Sequence, residues 1–128
     1  MIHLDTSFLI RGLVQGSAED QKLRQWLRSG ELFAMSTIAW AELLCGPLDA
    51  VHARLATAVV AERVPFEEHE AEVAAALFNH SGRRRGSLAD CMIAATALVA
   101  EAPLATANPD DFAPLAKAGL RIVTATAS

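Results

Sequence analysis

The feature that most constrains the fold of this chain is the alternation of short apolar runs with longer segments of helical character. The runs are apolar on both faces and are predicted as strands at residues 1–4, 32–35, 64–66, 104–106 and 120–124. Helices are predicted at residues 8–15, 18–28, 37–44, 49–62, 67–79, 88–100 and 110–118. Short strands separated by helices and buried on both faces are typical of a parallel sheet covered by helices. The sequence therefore predicts an α/β fold with a central, mainly parallel sheet.

The length of 128 residues suits one domain spanning 1–128, and a hydrophobic content of 52% supplies a core. No apolar run approaches the ~20 residues that a membrane span needs, so no membrane partner is expected. The N-terminus lacks the basic region of a signal peptide, and the expected location is therefore cytoplasmic. Cys45 and Cys91 lie in apolar helical segments without zinc-type spacing, and both are expected to be buried free thiols.

The net charge of −4 counts against binding of nucleic acid through the overall charge of the protein. It does not count against an enzyme that gathers carboxylates around metal ions, because there the metal supplies the positive field that faces a phosphate. The acidic side chains are therefore the first place to search for a site.

Asp5 and Glu42 are the first two candidate site residues. Asp5 ends the first strand, at the edge where α/β proteins bind ligands, although an aspartate there can also cap a helix. Glu42 is the only polar residue in the segment 38–44, so its helix is expected to be buried nearly all round. A buried carboxylate needs a partner such as a metal ion, whereas a solvated helical glutamate needs none.

Asp90 and the segment 108–111 provide the remaining acids. Asp90 stands three residues after Ser87, a spacing that also resembles a helix capping box. The segment follows a strand, and its Asn-Pro-Asp-Asp sequence also favours a turn. Taken together, oxygen ligands at these places suit hard divalent ions, which hydrolyse phosphodiesters in many enzymes. The chain has no P-loop, no G-x-G-x-x-G and no Ser-His-Asp pattern.

Four motifs, in order along the whole chain, resemble those of PIN-domain nucleases. The motifs are Asp5-Thr6-Ser7; Ser36 with Glu42-Leu43 and Gly46; Leu88-Ala89-Asp90 before an alanine-rich helix; and Thr106-Ala107-Asn108-Pro109-Asp110-Asp111-Phe112. The length and the position of the first motif favour the VapC-type toxins of type II toxin–antitoxin pairs.

The resemblance implies a PIN-like three-layer α/β/α sandwich and a metal-dependent endoribonuclease that uses metal-activated water. Its implied metal ligands are Asp5, Glu42 and Asp90. The implied cofactor is Mg²⁺ or Mn²⁺, and the implied partners are an RNA substrate, a cognate antitoxin and a second copy of the chain. Asp111 matches the fourth catalytic acid best, because it precedes Phe112. Thr6, Asn108 and Asp110 are secondary candidates, and the last two compete with Asp111.

The only basic run is Arg83-Arg84-Arg85. It leads into the helix that carries Asp90, so it is a candidate for contacting the RNA backbone, with a solvated loop as the alternative.

Two other functions remain as alternatives from the sequence. One is a non-catalytic PIN-like module that only binds or dimerises. The other is a phosphotransfer domain with Asp5 as a covalent nucleophile, which is disfavoured because position 7 is serine rather than a second aspartate. Trp26 and Trp40, in apolar helical segments, are expected to make core or dimer contacts.

Overall fold

The computed structural model describes residues 1–126, and its central feature is a five-stranded sheet. The strands are β1 (Ile2–Leu4), β2 (Phe33–Ser36), β3 (Val60–Val64), β4 (Leu104–Ala105) and β5 (Ile122–Val123). They lie in the order β3-β2-β1-β4-β5, and every neighbouring pair is parallel. The α/β class with a parallel central sheet is thus confirmed.

Seven α-helices connect these strands within residues 1–126. They are α1 (Thr6–Gly12), α2 (Ala18–Arg28), α3 (Thr37–Cys45), α4 (Ala50–Val59), α5 (Glu68–His80), α6 (Leu88–Val99) and α7 (Pro109–Phe112), which continues into a 3₁₀ helix (Ala113–Ala118). The chain runs outward from β1 to β3 and returns to β4 on the other side of β1. Crossovers between parallel strands are almost always right-handed, and with that hand α1 to α4 lie over one face of the sheet and α5 to α7 over the other.

Local chemistry explains where several helices begin. Asp5, Ser17 and Ser36 each accept a hydrogen bond from a backbone N–H in the first turn of α1, α2 and α3. The predicted bounds of α2 are confirmed, and α1 begins two residues earlier than predicted because Asp5 is its N-cap.

Two predicted elements are wrong. The predicted strand at residues 64–66 is replaced by β3, which begins directly after α4 ends at Val59. β3 is an edge strand whose central residues are exposed, and it therefore lacks the continuous apolar run from which the strands were predicted. The helix predicted over 110–118 divides after Phe112 into α7 and the 3₁₀ helix, because Pro114 lacks the N–H that a continuing α-helix requires.

The core lies between the sheet and its helices and includes Phe8, Phe33 and Phe112, all essentially inaccessible to solvent. Trp26 stacks on the Phe8 ring, which confirms its core contact. Cys91 is buried, but Cys45 is exposed, so the expectation of two buried thiols is wrong for Cys45. Within residues 1–126, no helix combines the length and the apolar character that crossing a membrane requires.

Candidate active site

Asp5 lies at the carboxyl edge of the sheet, where the strand order reverses between β1 and β4. Its backbone N–H donates to the carbonyl oxygen of Ala105 at 3.0 Å, which ties the ends of the two strands together. Thr106 follows β4 directly and therefore stands beside Asp5. Ligand sites of open α/β sheets occur at such a reversal, so this is the expected place for chemistry.

Three donors surround the Asp5 carboxylate. Oδ1 accepts from the Ser7 hydroxyl at 2.7 Å and from the backbone N–H of Phe8 at 2.9 Å. Oδ2 accepts from the Thr106 hydroxyl at 2.6 Å. Backbone N–H groups of Ala107 and Asn108 donate in turn to the two hydroxyl oxygens, at 3.1 and 2.9 Å. The hydroxyl hydrogens are thereby directed toward Asp5.

The pKa of Asp5 is raised above its ordinary value. Burial is the largest cause, because it disfavours the charged carboxylate, and the negative charge of Glu42 adds to it. The hydrogen bonds from Thr106, Phe8 and Ser7 act in the opposite direction. Asp5 is thus a buried acid stabilised by neutral donors rather than by a cationic side chain.

Glu42 is exposed, so the prediction of a helix buried nearly all round is wrong for α3. Ala39 and Leu43 face the core, whereas Leu44 remains 60% exposed. The Thr6 hydroxyl lies 3.0 Å from a Glu42 carboxylate oxygen and 3.0 Å from the carbonyl oxygen of Ala39. A hydroxyl donates one hydrogen, so Thr6 can bond to Ala39 whenever Glu42 moves away.

Asp90 is half-buried at the start of α6, and its alternative role in a capping box is not observed. The Ser87 hydroxyl donates to the Arg84 carbonyl oxygen at 2.8 Å and makes no cap bond to α6. The pKa of Asp90 is raised from 3.8 to about 6, first by burial and then by the charges of Asp111, Glu42 and Asp5. The positive charge of Arg84 lowers it.

The helices that carry these acids form a continuous series of contacts. α1 packs against α3, α3 against α6, and α6 against α7. The electrostatic coupling of Asp90 to Asp5, Glu42 and Asp111 is consistent with this packing. Four acids from four segments of the sequence therefore lie near enough for the charges of Asp5, Glu42 and Asp111 to act on Asp90.

Three polar residues competed for the fourth position. Within the segment 108–111, Asp111 is the residue whose negative charge raises the pKa of Asp90. Asn108 is the exposed N-cap of α7, makes no side-chain cap bond, and contributes its backbone N–H to Thr106. Asp110 is exposed in the first turn of α7. The structure therefore brings Asp111 toward the other acids and gives Asn108 a backbone contact.

The donor set fits a hard cation in its chemistry. Among residues 1–126, no three His, Cys, Asp or Glu side chains already lie close enough to form a metal-binding group. Glu42 and Asp111 are exposed, however, so their side chains can rotate without losing core contacts. Carboxylate oxygens are the ligands that Mg²⁺ and Mn²⁺ prefer. Asp5 is held by its three donors and Asp90 is half-buried, whereas Glu42 and Asp111 are exposed and adjustable.

The three consecutive arginines have different surroundings. Arg83 adopts a left-handed backbone (φ 54°), lies over the Phe78 ring and donates to the Asn79 side chain at 3.0 Å. Arg84 acts electrostatically on Asp90. Arg85 is exposed. Arg83 is thus tied to α5, whereas Arg84 is exposed and its positive charge acts on Asp90.

Ser7 and Thr106 occur within the motifs noted in the sequence but are absent from the predicted site residues. One sequence feature could have identified them: Ser7 and Thr106 each lie at or next to the end of a predicted strand that is followed by predicted site residues. Their meeting at Asp5 depends on β1 and β4 being neighbours, which local sequence does not indicate.

Comparisons with known proteins agree with this architecture. The PIN domain family model matches residues 2–118. A toxin–antitoxin complex from Klebsiella pneumoniae contains a chain that is 26% identical, with a TM-score of 0.74 and all of both chains covered. No curated protein sequence matches the chain.

Two more distant structures share the fold. VapBC2 from Rickettsia felis, bound to a fragment of its promoter DNA, gives a TM-score of 0.74 at 19% identity, covering 97% of this chain and 98% of that one. FitAcB from Neisseria gonorrhoeae gives 0.73 at 23% identity, covering 98% of each chain. At these identities the likeness concerns the fold alone.

Proposed function

Since this chain belongs to the PIN domain family, we propose that it is a divalent-metal-dependent endoribonuclease and the toxin of a toxin–antitoxin pair. One observation carries the catalytic part of the proposal. Asp5, Glu42, Asp90 and Asp111 come from four segments of the chain, and the charges of the other three all raise the pKa of Asp90. Perturbed acids gathered at the carboxyl edge of an α/β sheet are typical of a catalytic site.

Asp5 and Asp90 would hold Mg²⁺ or Mn²⁺, with Glu42 completing the ligand set and Asp111 assisting as the fourth acid. A divalent ion, when bound, lowers the pKa of water and stabilises negative charge on a phosphate. The protein orients Asp5 through Ser7 and Thr106, and it leaves the exposed Glu42 free to adjust while Thr6 bonds to Ala39.

RNA is the proposed substrate, and the cytoplasm is the proposed location. The chain carries a net charge of −4, so attraction of RNA depends on the cation and on local arginines rather than on overall charge. Arg84, whose positive charge lowers the pKa of Asp90, is the arginine proposed to contact a phosphate, and Arg85 follows it on the exposed loop.

An antitoxin is the proposed partner, because the 26% identical chain belongs to a toxin–antitoxin complex. An apolar groove between α1, α2 and α4 is lined by the exposed side chains of Val14, Leu27 and Leu55. This apolar lining suits the apolar face of a partner helix. Co-purification with the antitoxin should be lost in Leu55→Glu and kept in Leu32→Glu, a matched exposed leucine in a loop.

A homodimer is also proposed, and light scattering of the antitoxin-free chain tests it. The expected mass is twice that of the 13.6 kDa chain. A monomer at all concentrations would remove this part of the proposal and leave the catalytic part intact.

Cleavage of a mixed RNA pool by antitoxin-free protein tests the catalytic proposal. We expect cleavage with Mg²⁺ or Mn²⁺, none with chelator, and loss of cleavage in Asp5→Asn and Asp90→Asn. Asp49→Asn is the matched control, because Asp49 caps α4 away from these acids and asparagine caps a helix equally well. If metal-loaded wild type binds RNA but cleaves none of the pool, the non-catalytic binding module becomes the better account.

A further inference from the structure

The Asp5 carboxylate is held by hydroxyls from both ends of the chain. Ser7 lies two residues away, whereas Thr106 lies 101 residues away and is completely inaccessible to solvent. The Ser7 and Thr106 hydroxyl oxygens are 3.4 Å apart. Each hydroxyl donates its single hydrogen to Asp5 and accepts a hydrogen bond from a backbone N–H. These two bonds determine the orientation of each hydroxyl group.

These bonds leave Asp5 with limited capacity to accept another group. A carboxylate offers about four lone-pair directions, two on each oxygen. Oδ1 already accepts two hydrogen bonds, from Ser7 and Phe8. Oδ2 accepts one, from Thr106, so one direction on Oδ2 remains.

We propose that Thr106 and Ser7 are positioning residues whose hydroxyls hold the Asp5 carboxylate with one Oδ2 direction left for a divalent cation. Asp5 then binds the cation through a single oxygen. The inference rests on the proposed function, because it assumes that Asp5 is a ligand. It goes further by assigning the orientation of that ligand to two hydroxyl residues that do not touch the cation themselves.

Neutral donors are suited to this role. A lysine or arginine beside Asp5 would hold the carboxylate equally well but would repel a cation, whereas a hydroxyl adds no charge. Residues that hydrogen-bond a ligand typically change metal affinity by about 10–100-fold when they are removed. The expected effect of losing the Thr106 hydroxyl lies in that range.

The test is calorimetric titration of the full-length chain with Mn²⁺, with melting curves recorded in chelator. Thr106→Val removes the hydroxyl and keeps the shape, Thr106→Ser keeps the hydroxyl, and Ser7→Ala removes the second donor. Thr96→Val is the matched control, since Thr96 is equally buried but its hydroxyl bonds to the Met92 carbonyl oxygen within α6.

We expect Thr106→Val to weaken Mn²⁺ binding by about 10–100-fold, Ser7→Ala to weaken it in the same direction, and Thr106→Ser and Thr96→Val to bind like the wild type. Unchanged affinity in Thr106→Val overturns the inference while the proposed metal site stands. Equal loss in Thr106→Ser and Thr106→Val also overturns it, because the hydroxyl is then not responsible. If Thr106→Val does not fold, unchanged affinity in Ser7→Ala overturns it. A wild type that binds no Mn²⁺ refutes the proposed metal site, and the inference fails with it.

Discussion

Replacing Asp90 by asparagine should make the metal-free protein more stable. Burial and the charges of Asp111, Glu42 and Asp5 raise the pKa of Asp90 from 3.8 to about 6. Above pH 6 the native state therefore carries an ionised Asp90, and this charge has a lower free energy in the unfolded chain. Below 3.8 the group is protonated in both states and the cost disappears. Asparagine has nearly the same shape and never carries the charge.

The size of the effect follows from the shift. A change of about two pKa units corresponds to at most ~3 kcal/mol, since each unit is worth about 1.4 kcal/mol. Asp90 is only half-buried, so solvent screening reduces the expected gain to ~1–2 kcal/mol. In a chain of this size that gain raises the melting temperature by about 4–8 °C.

Thermal melts in chelator at pH 8, 6 and 4 provide the assay. Asp90→Asn should melt above the wild type at pH 8, and the difference should shrink toward pH 4 as Asp90 of the wild type becomes protonated. Asp49→Asn should show no such gain, because hydrogen bonds from His52 lower the pKa of Asp49. Saturating Mn²⁺ should reverse the order by stabilising the wild type through mass action.

Two results would refute this reasoning. One is a lower melting temperature of Asp90→Asn at pH 8 in chelator, which would mean that the carboxylate is favourable in the native state. The other is an increase in melting temperature that is the same at pH 8 and pH 4, which would mean that the charge of Asp90 does not cause it.

Three further predictions concern other parts of the molecule. Burial lowers the pKa of His3 to about 4, so the stability of the protein should fall as the pH is lowered from 6.5 to 4. In urea melts, the unfolding free energy of His3→Gln should rise relative to that of the wild type by up to ~2 kcal/mol between pH 7 and pH 5. A difference that stays constant over this range would contradict the prediction. In an inactive Asp5→Asn background, Arg84→Gln should reduce the salt-dependence slope of RNA binding by about 0.7, measured by fluorescence anisotropy, and Arg83→Gln should leave it unchanged; equal slopes would remove Arg84 from the interface. Phe112→Ala should cost about 3–5 kcal/mol of unfolding free energy because the ring is fully buried, and a loss below ~1 kcal/mol would show that α7 is not anchored by it.

Elements set by local chemistry were predictable from the sequence. Ser17 caps α2 and Gly30, with a positive φ, follows its end, so both bounds could be read directly. Asp5 was correctly expected at the carboxyl edge of the sheet, because alternation of strands and helices indicates a parallel topology.

Features that depend on tertiary packing were not predictable in the same way. β3 has a polar centre because it lies at the edge of the sheet. Glu42 is exposed because one apolar side of α3 is left uncovered by the rest of the chain, and composition does not indicate which side of a helix is covered. The contact of Thr106 with Asp5 spans 101 residues and exists only because β4 pairs with β1.

The central claim is that these four acids form one cation-dependent nuclease site, and one measurement tests it most directly. Mn²⁺ binding by calorimetry and single-turnover RNA cleavage are followed across the same Mn²⁺ concentrations, with the same antitoxin-free preparation. The account predicts that half-maximal cleavage occurs near the Kd for Mn²⁺ and that Asp5→Asn loses both binding and cleavage. Cleavage that persists in chelator, or in Asp5→Asn without Mn²⁺ binding, would contradict it.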